Sequence, residues 1–275
     1  MRKATGACRR VGARLIAVLM VLSLVPVTVN ASFSVKEQLI EVQARHNEHA
    51  AGAITVSNHS EEPITIRVIP ADYLRDLEGE VSTPVAGETV HSLFPHVSLS
   101  STLISLEPHG SYDLEYVINL PEDVEGSRWF AIYFEPDVEP MVTQDQDRDK
   151  ANFSIKLVIA YRTLILATAT GTEAPNGTIT GMRMVEAPDF GFEIELQNTG
   201  NVYYRATGWI DIRDEQGETV TRIPIERSFV LPDQTLVIRV LDKELDLPPG
   251  RYLALAVIDF GGDHLVASQL VFDAY

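Results

Sequence analysis

Asn152-Phe-Ser-Ile-Lys-Leu-Val-Ile-Ala-Tyr-Arg-Thr-Leu-Ile-Leu166 is the stretch whose reading decides the fold. Phe153, Ile155, Leu157, Ile159 and Tyr161 project to one side, while Ser154, Lys156, Val158, Ala160 and Arg162 project to the other. This is the period-two pattern of a strand, not of a helix. At about 15 residues it is long beside the usual 5 or 6, so it spans more than one packing environment. We read it as the last strand of one domain running into the next. What covers its odd-numbered apolar face then decides function: the protein's own opposite sheet, or a segment of a partner.

Upstream, alternation recurs in short runs separated by turn residues. Phe33 to Val42 reads as a first strand; Ala53 to Val56 and Ile64 to Ile69 flank the turn Asn58-His-Ser-Glu-Glu-Pro63; Leu103 to Leu106, Tyr112 to Ile118 and Arg128 to Phe134 come next. The second half repeats this syntax. Phe192 to Leu196, a turn at Asn198-Thr-Gly-Asn201 and Val202 to Ile212 echo the pair around Asn58. Leu231-Pro-Asp-Gln234, the alternating Leu236, Ile238 and Val240, and Leu247-Pro-Pro-Gly-Arg-Tyr252 echo the run from Leu106 to Trp129. Short strands at such spacing, with no helical period among them, predict an all-β chain of two tandem immunoglobulin-like β-sandwich domains, at residues 32–168 and 169–275. Gly171 is the expected hinge. The longest connection, Glu135 to Ala151, carries the acidic tract Gln144-Asp-Gln-Asp-Arg-Asp-Lys150.

The first 31 residues stand apart. Arg2, Lys3, Arg9, Arg10 and Arg14 precede an uncharged run from Leu15 to Val29 that closes on Val29-Asn30-Ala31, the n-region, h-region and small-residue site of a cleaved signal peptide. The run falls short of the roughly 20 residues that span a bilayer. Cleavage removes five basic residues and no acidic one, taking the net charge from −17 to −22. A product that acidic disfavours nucleic acid and anionic membrane surfaces. The expectation is an exported, periplasmic or otherwise extracytoplasmic protein, with no membrane insertion after signal cleavage.

Constellations for catalysis or cofactors are not found. The one cysteine, Cys8, lies in the leader, which excludes disulfides, thiol catalysis and thiolate metal sites from the exported part. Asp145, Asp147 and Asp149 have the spacing of a calcium loop, but Lys150 and Lys156 stand where it needs Gly and Glu, so the tract reads as a solvated loop. His46 and His49 have no third ligand in the sequence around them. There is no nucleophile elbow, HExxH helix or phosphate-cradling loop. The reading is a protein that is not an enzyme and needs no metal or cofactor.

Ile54 to Ile69 with Asn58 in its turn, Trp129 to Glu135, Ile155 to Arg162, and Asp259-Phe-Gly-Gly262 together resemble the PapD-like periplasmic chaperones of pilus assembly, in an order that covers nearly all of the exported chain. The resemblance implies donor-strand complementation, in which the long strand lends alternating apolar side chains, here Phe153, Ile155 and Leu157, to an incomplete secreted pilus or surface subunit. It also implies an ion triad between the domains, and Glu135, Arg162 and Asp259 match its positions. The family's carboxylate-binding lysine and arginine are replaced: Val158 occupies the first position, and Gln38 and Leu39 lie near the second. Lys156 and Lys36 are the candidates for a displaced anchor. The rival reading is a structural or adhesive immunoglobulin-like module of the cell envelope, which shares the fold.

Overall fold

The computed structural model describes residues 32–137, 159–185, 190–242 and 247–274. The expected leader (1–31), the acidic tract and the candidate donors Phe153, Ile155, Lys156 and Leu157 lie outside the described residues. Among these residues there is no α-helix, only one 3-10 turn at Phe94–His96. The rest is strand and loop, arranged as two β-sandwiches.

The first sandwich contains β1 (Phe33–Val35), β2 (Leu39–Ala44), β3 (His49–Asn58), β4 (Ile64–Ala71), the small hairpin β5 (Leu74–Arg75) and β6 (Val81–Ser82), β7 (Val97–Leu99), β8 (Leu103–Leu106), β9 (Ser111–Asn119), β10 (Ser127–Pro136) and β11 (Tyr161–Ala169). One sheet has the order β1-β3-β9-β7 and the facing sheet β2-β11-β10-β4-β8. The alternation read in the sequence is the alternation observed: Phe130, Ile132 and Phe134 of β10 and Ile165 and Ala167 of β11 point into a core shared with Ile54, Val56, Leu114 and Ile118. Burying each such large side chain contributes about 1.5–3 kcal/mol, and the two facing inner surfaces supply many.

One element differs from the sequence reading. Phe33 to Val42 is not one strand. It breaks over Lys36, Glu37 and Gln38, and its halves join opposite sheets, β1 antiparallel to β3 and β2 parallel to β11. The crossing is pinned because the Glu37 carboxylate accepts the Thr55 amide (2.8 Å) and its carbonyl accepts the Thr163 hydroxyl. The segments around Asn58 form a sheet-crossing pair, since β3 and β4 lie in different sheets. Alternation reports which face a side chain takes but not which sheet a strand joins.

The second sandwich contains β12 (Gly177–Val185), β13 (Gly191–Asn198), β14 (Tyr204–Arg213), β15 (Thr219–Val230), β16 (Thr235–Leu241), β17 (Gly250–Asp259) and β18 (Val266–Ala274). Its sheets are β12-β13-β16 and β15-β14-β17-β18. Between them Phe192, Ile194, Ile210, Ala254, Ile258 and Phe260 form a second core. The Tyr252 hydroxyl donates to the Pro248 carbonyl (2.9 Å), a link of side chain to upstream backbone that fixes the start of β17.

A third apolar cluster joins the two sandwiches. The residues of β10 and β11 that face away from the first core, Trp129, Ala131, Leu164 and Leu166, pack with Tyr73 and with Leu231 of the second sandwich, and Tyr133, Tyr203 and Phe229 border them. β11 is therefore buried on both faces over its C-terminal half. That explains why Leu164-Ile-Leu166 reads as a continuous apolar run where the preceding residues alternate.

Candidate functional site

β11 has two environments along one edge. From Leu164 onward it is flanked by β10 and, in parallel, by β2, in a register that begins at Leu164 opposite Leu39. The Leu164 amide donates to the Gln38 carbonyl (2.9 Å), so the main-chain groups of alternate residues point toward β2. By that alternation those of Arg162 point to the same side. Among the described residues no strand meets them there, because the chain preceding β2 has already crossed: the Lys36 amide is committed to Thr55 in the opposite sheet (3.0 Å). An unpaired main-chain edge is thus left at Arg162, the kind of template to which another strand can add.

A cleft of about 480 Å³ opens beside this edge. Gln38 and Leu39 form one wall, Tyr161, Arg162 and Leu164 the floor, and Tyr73 with Phe229 of the second sandwich the far wall. The Arg162 guanidinium lies over the Tyr73 ring, 4.9 Å from its centroid, and among the described residues it has no carboxylate partner. A cation held against an aromatic face, in a cleft with apolar walls, suits a carboxylate that brings an apolar side chain with it.

The walls are held in place by the junction. The Trp129 indole donates to the Tyr73 carbonyl (2.7 Å) and its ring stacks on His91 (4.8 Å between centroids), whose Nε2 meets the Asp233 carboxylate at 2.8 Å. Residues between β4 and β7 thereby reach across to the second sandwich, and the Leu77 carbonyl accepts the Val237 amide. Asp72, fully buried, organises that excursion. Burial alone would raise its carboxyl, but the Ser92 hydroxyl and the Thr89 and Gly87 amides outweigh this and hold it below the usual carboxylate range. On the linker side the Asn201 carbonyl accepts the Ser127 amide (2.8 Å). Gly126 approaches so closely there, at φ +66°, that a Cβ would lie 2.1 Å from the Asn201 oxygen.

The expected ion triad is not formed. Glu135, Arg162 and Asp259 are all described, and no ion pair joins Arg162 to either carboxylate. Glu135 lies in register with Arg67 of the neighbouring β4 and pairs with it at 3.0 Å. Asp259 folds back onto the Gly261 amide (2.8 Å) in a local turn. A directly opposed cross-strand partner takes Glu135. Lys36 is corrected as well. Its ammonium is 76% exposed, lies 3.6 Å from Glu37 and does not line the cleft, because the crossing carries β1 to the opposite sheet. Tyr73 and Phe229 were missed: they come from different sandwiches, and no local pattern marks either.

No family model matches the sequence, and no curated protein matches it. The chain is similar to solved structures at low identity. A chain of the chaperone–tip adhesin complex of CFA/I fimbriae biogenesis matches with a TM-score of 0.49 and 12% identity, over 88% of this chain and 98% of that one. The class 5 fimbriae chaperone CfaA matches at 0.46 and 11%, over 88% and 99%. A structure of the Salmonella enterica SafA pilin with the SafB chaperone matches at 0.42 and 15%, over 87% and 96%.

Proposed function

We propose that this protein is a non-enzymatic, periplasmic chaperone-like factor that holds an incomplete secreted subunit of a pilus or other surface structure by strand addition. The single observation that carries the reading is the unpaired edge of β11 at Arg162 beside the interdomain cleft. A client strand adds to that edge through main-chain hydrogen bonds, and Phe153, Ile155 and Leu157, which precede it at the same period, fill the client's gaps. Arg162 holds the client's terminal carboxylate in the cleft, with Lys156 as a second cation. The signal-like leader supplies export, and the strong acidity of the chain keeps it soluble there.

Replacing Phe153 and Ile155 together by Asp tests the reading. The expected result is a protein that keeps its circular dichroism and melting midpoint but no longer captures a peptide of alternating apolar residues with a free terminal carboxylate. Loss of fold would assign the two side chains to the protein's own core and end the proposal; undiminished capture would end it too.

A further inference from the structure

Two close contacts between a carboxylate and a basic side chain bridge the sandwiches among the described residues. One is His91 with Asp233, neither of which lines the cleft. The other is Arg205 of β14 with Glu41 of β2, at 2.7 Å, each side chain about one-third exposed. Its position is informative. Glu41 stands two residues along β2 from the cleft residue Leu39 and lies in register with Leu166, so its carboxylate is on the face of the sheet that meets the second sandwich. Arg205 lies over the Phe229 ring, 5.6 Å from its centroid, and near the Tyr203 ring at 5.9 Å. Phe229 is the wall that the second sandwich contributes to the cleft. One salt bridge therefore links the strand that forms one wall to the cation that backs the other.

We infer that Glu41 and Arg205 form the strut that sets the separation of the cleft walls, with Arg205 a positioning residue behind Phe229. The pair also has an electrostatic consequence. Glu41 neutralises Arg205, so the guanidinium left without a carboxylate in the cleft lining is that of Arg162, and a bound anion is drawn to one place. Arginine suits the strut because its planar cation can stack on an aromatic ring and bond a carboxylate at once. The strut stands on geometry alone; its consequence for ligand binding rests on the function proposed above.

Spin labels at Glu115→Cys and Gln269→Cys, in a Cys8→Ser background, report the separation of the sandwiches by double electron–electron resonance. Glu41→Gln and Arg205→Met are each expected to broaden the distance distribution, and the exchanged pair E41R/R205E to narrow it again. Unchanged distributions in both single variants would overturn the strut. Should a single variant fail to fold, the exchanged pair decides, a broad distribution there counting against it. A peptide with a free carboxylate, compared with its amidated form, supplies the second arm, with an expected loss of affinity of about threefold to fivefold in the single variants. Weakened binding with an unchanged distribution would make the two residues direct ligand contacts and overturn the strut. A broadened distribution with undiminished binding would keep the strut and remove the cleft from the proposed function.

Discussion

Asn58 and Asn198 hold the same corner in the two sandwiches. The buried Asn58 amide donates to the carbonyls of Glu62 (2.8 Å) and Glu107 (3.0 Å), and the buried Asn198 amide to those of Val202 (2.8 Å) and Val230 (3.2 Å). Each also receives a main-chain amide two residues on, from Ser60 and Gly200. Each backbone N–H in turn meets a carbonyl just past a turn with a left-handed residue, His109 at φ 58° and Asp233 at φ 60°. Both asparagines tie the crossing between sheets to the turn that faces it.

Asn58→Ala is therefore expected to destabilise the first sandwich by about 1–3 kcal/mol, the usual cost of leaving buried polar groups without partners, and Asn198→Ala the second by as much. Urea unfolding followed separately by Trp129 and Trp209 fluorescence distinguishes the two. Equal shifts in both transitions for either variant would refute independent corners.

Arg162→Ala should leave the distance between the sandwiches unchanged, since its cation rests on Tyr73 within the first sandwich and among the described residues forms no ion pair with the second. Binding of a carboxylate-terminated peptide should fall about tenfold to a hundredfold, the range of a charge-assisted hydrogen bond. Titration calorimetry reads the affinity, and equal loss with the amidated peptide would show that Arg162 does not recognise the carboxylate.

Gly126→Ala places a methyl group against the Asn201 carbonyl at a positive φ, a combination expected to cost more than about 2 kcal/mol. Because the clash lies at the junction, the distance distribution between the sandwiches should broaden in the same variant. A full-strength melting transition would contradict the close approach.

Two carboxylates on the outer faces of the second sandwich make its stability acid-sensitive. Hydrogen bonds from Arg183 and then Arg239 outweigh burial and hold Glu193 below its usual range; Arg222 does the same for Asp211. A carboxyl depressed in the folded state contributes stability above its unfolded pKa and loses it as pH falls through the folded one. The loss is expected between about pH 5 and pH 2. In Glu193→Gln the urea midpoint should fall less steeply across that window, and an unchanged slope would rule the contribution out.

The fold was legible because alternation and turn chemistry are local. Phe130, Ile132 and Phe134 declare an inward face by spacing alone, and Asn58 and Asn198 mark related corners by the turn residues directly after them. The candidate site was legible only in part. Arg162 was singled out only as a member of an ion triad, whose formation depends on which strands become neighbours, and Arg67 takes Glu135 by a register that the sequence does not state. The break at Glu37 has no Gly or Pro to announce it. Tyr73 and Phe229 meet only once both sandwiches have docked.

The change of sheet at Glu37 bears on the strand addition proposed above. Below Arg162 the place beside β11 is occupied by Leu39 and the residues after it, in an unbroken parallel ladder to Ala169. For a client strand added as proposed above, the end of that ladder would act as a stop that fixes where the client begins. Since a slip of one residue would turn every apolar side chain outward, such a stop would let the proposed factor reject clients that are out of step, independent of how tightly it held those that fit.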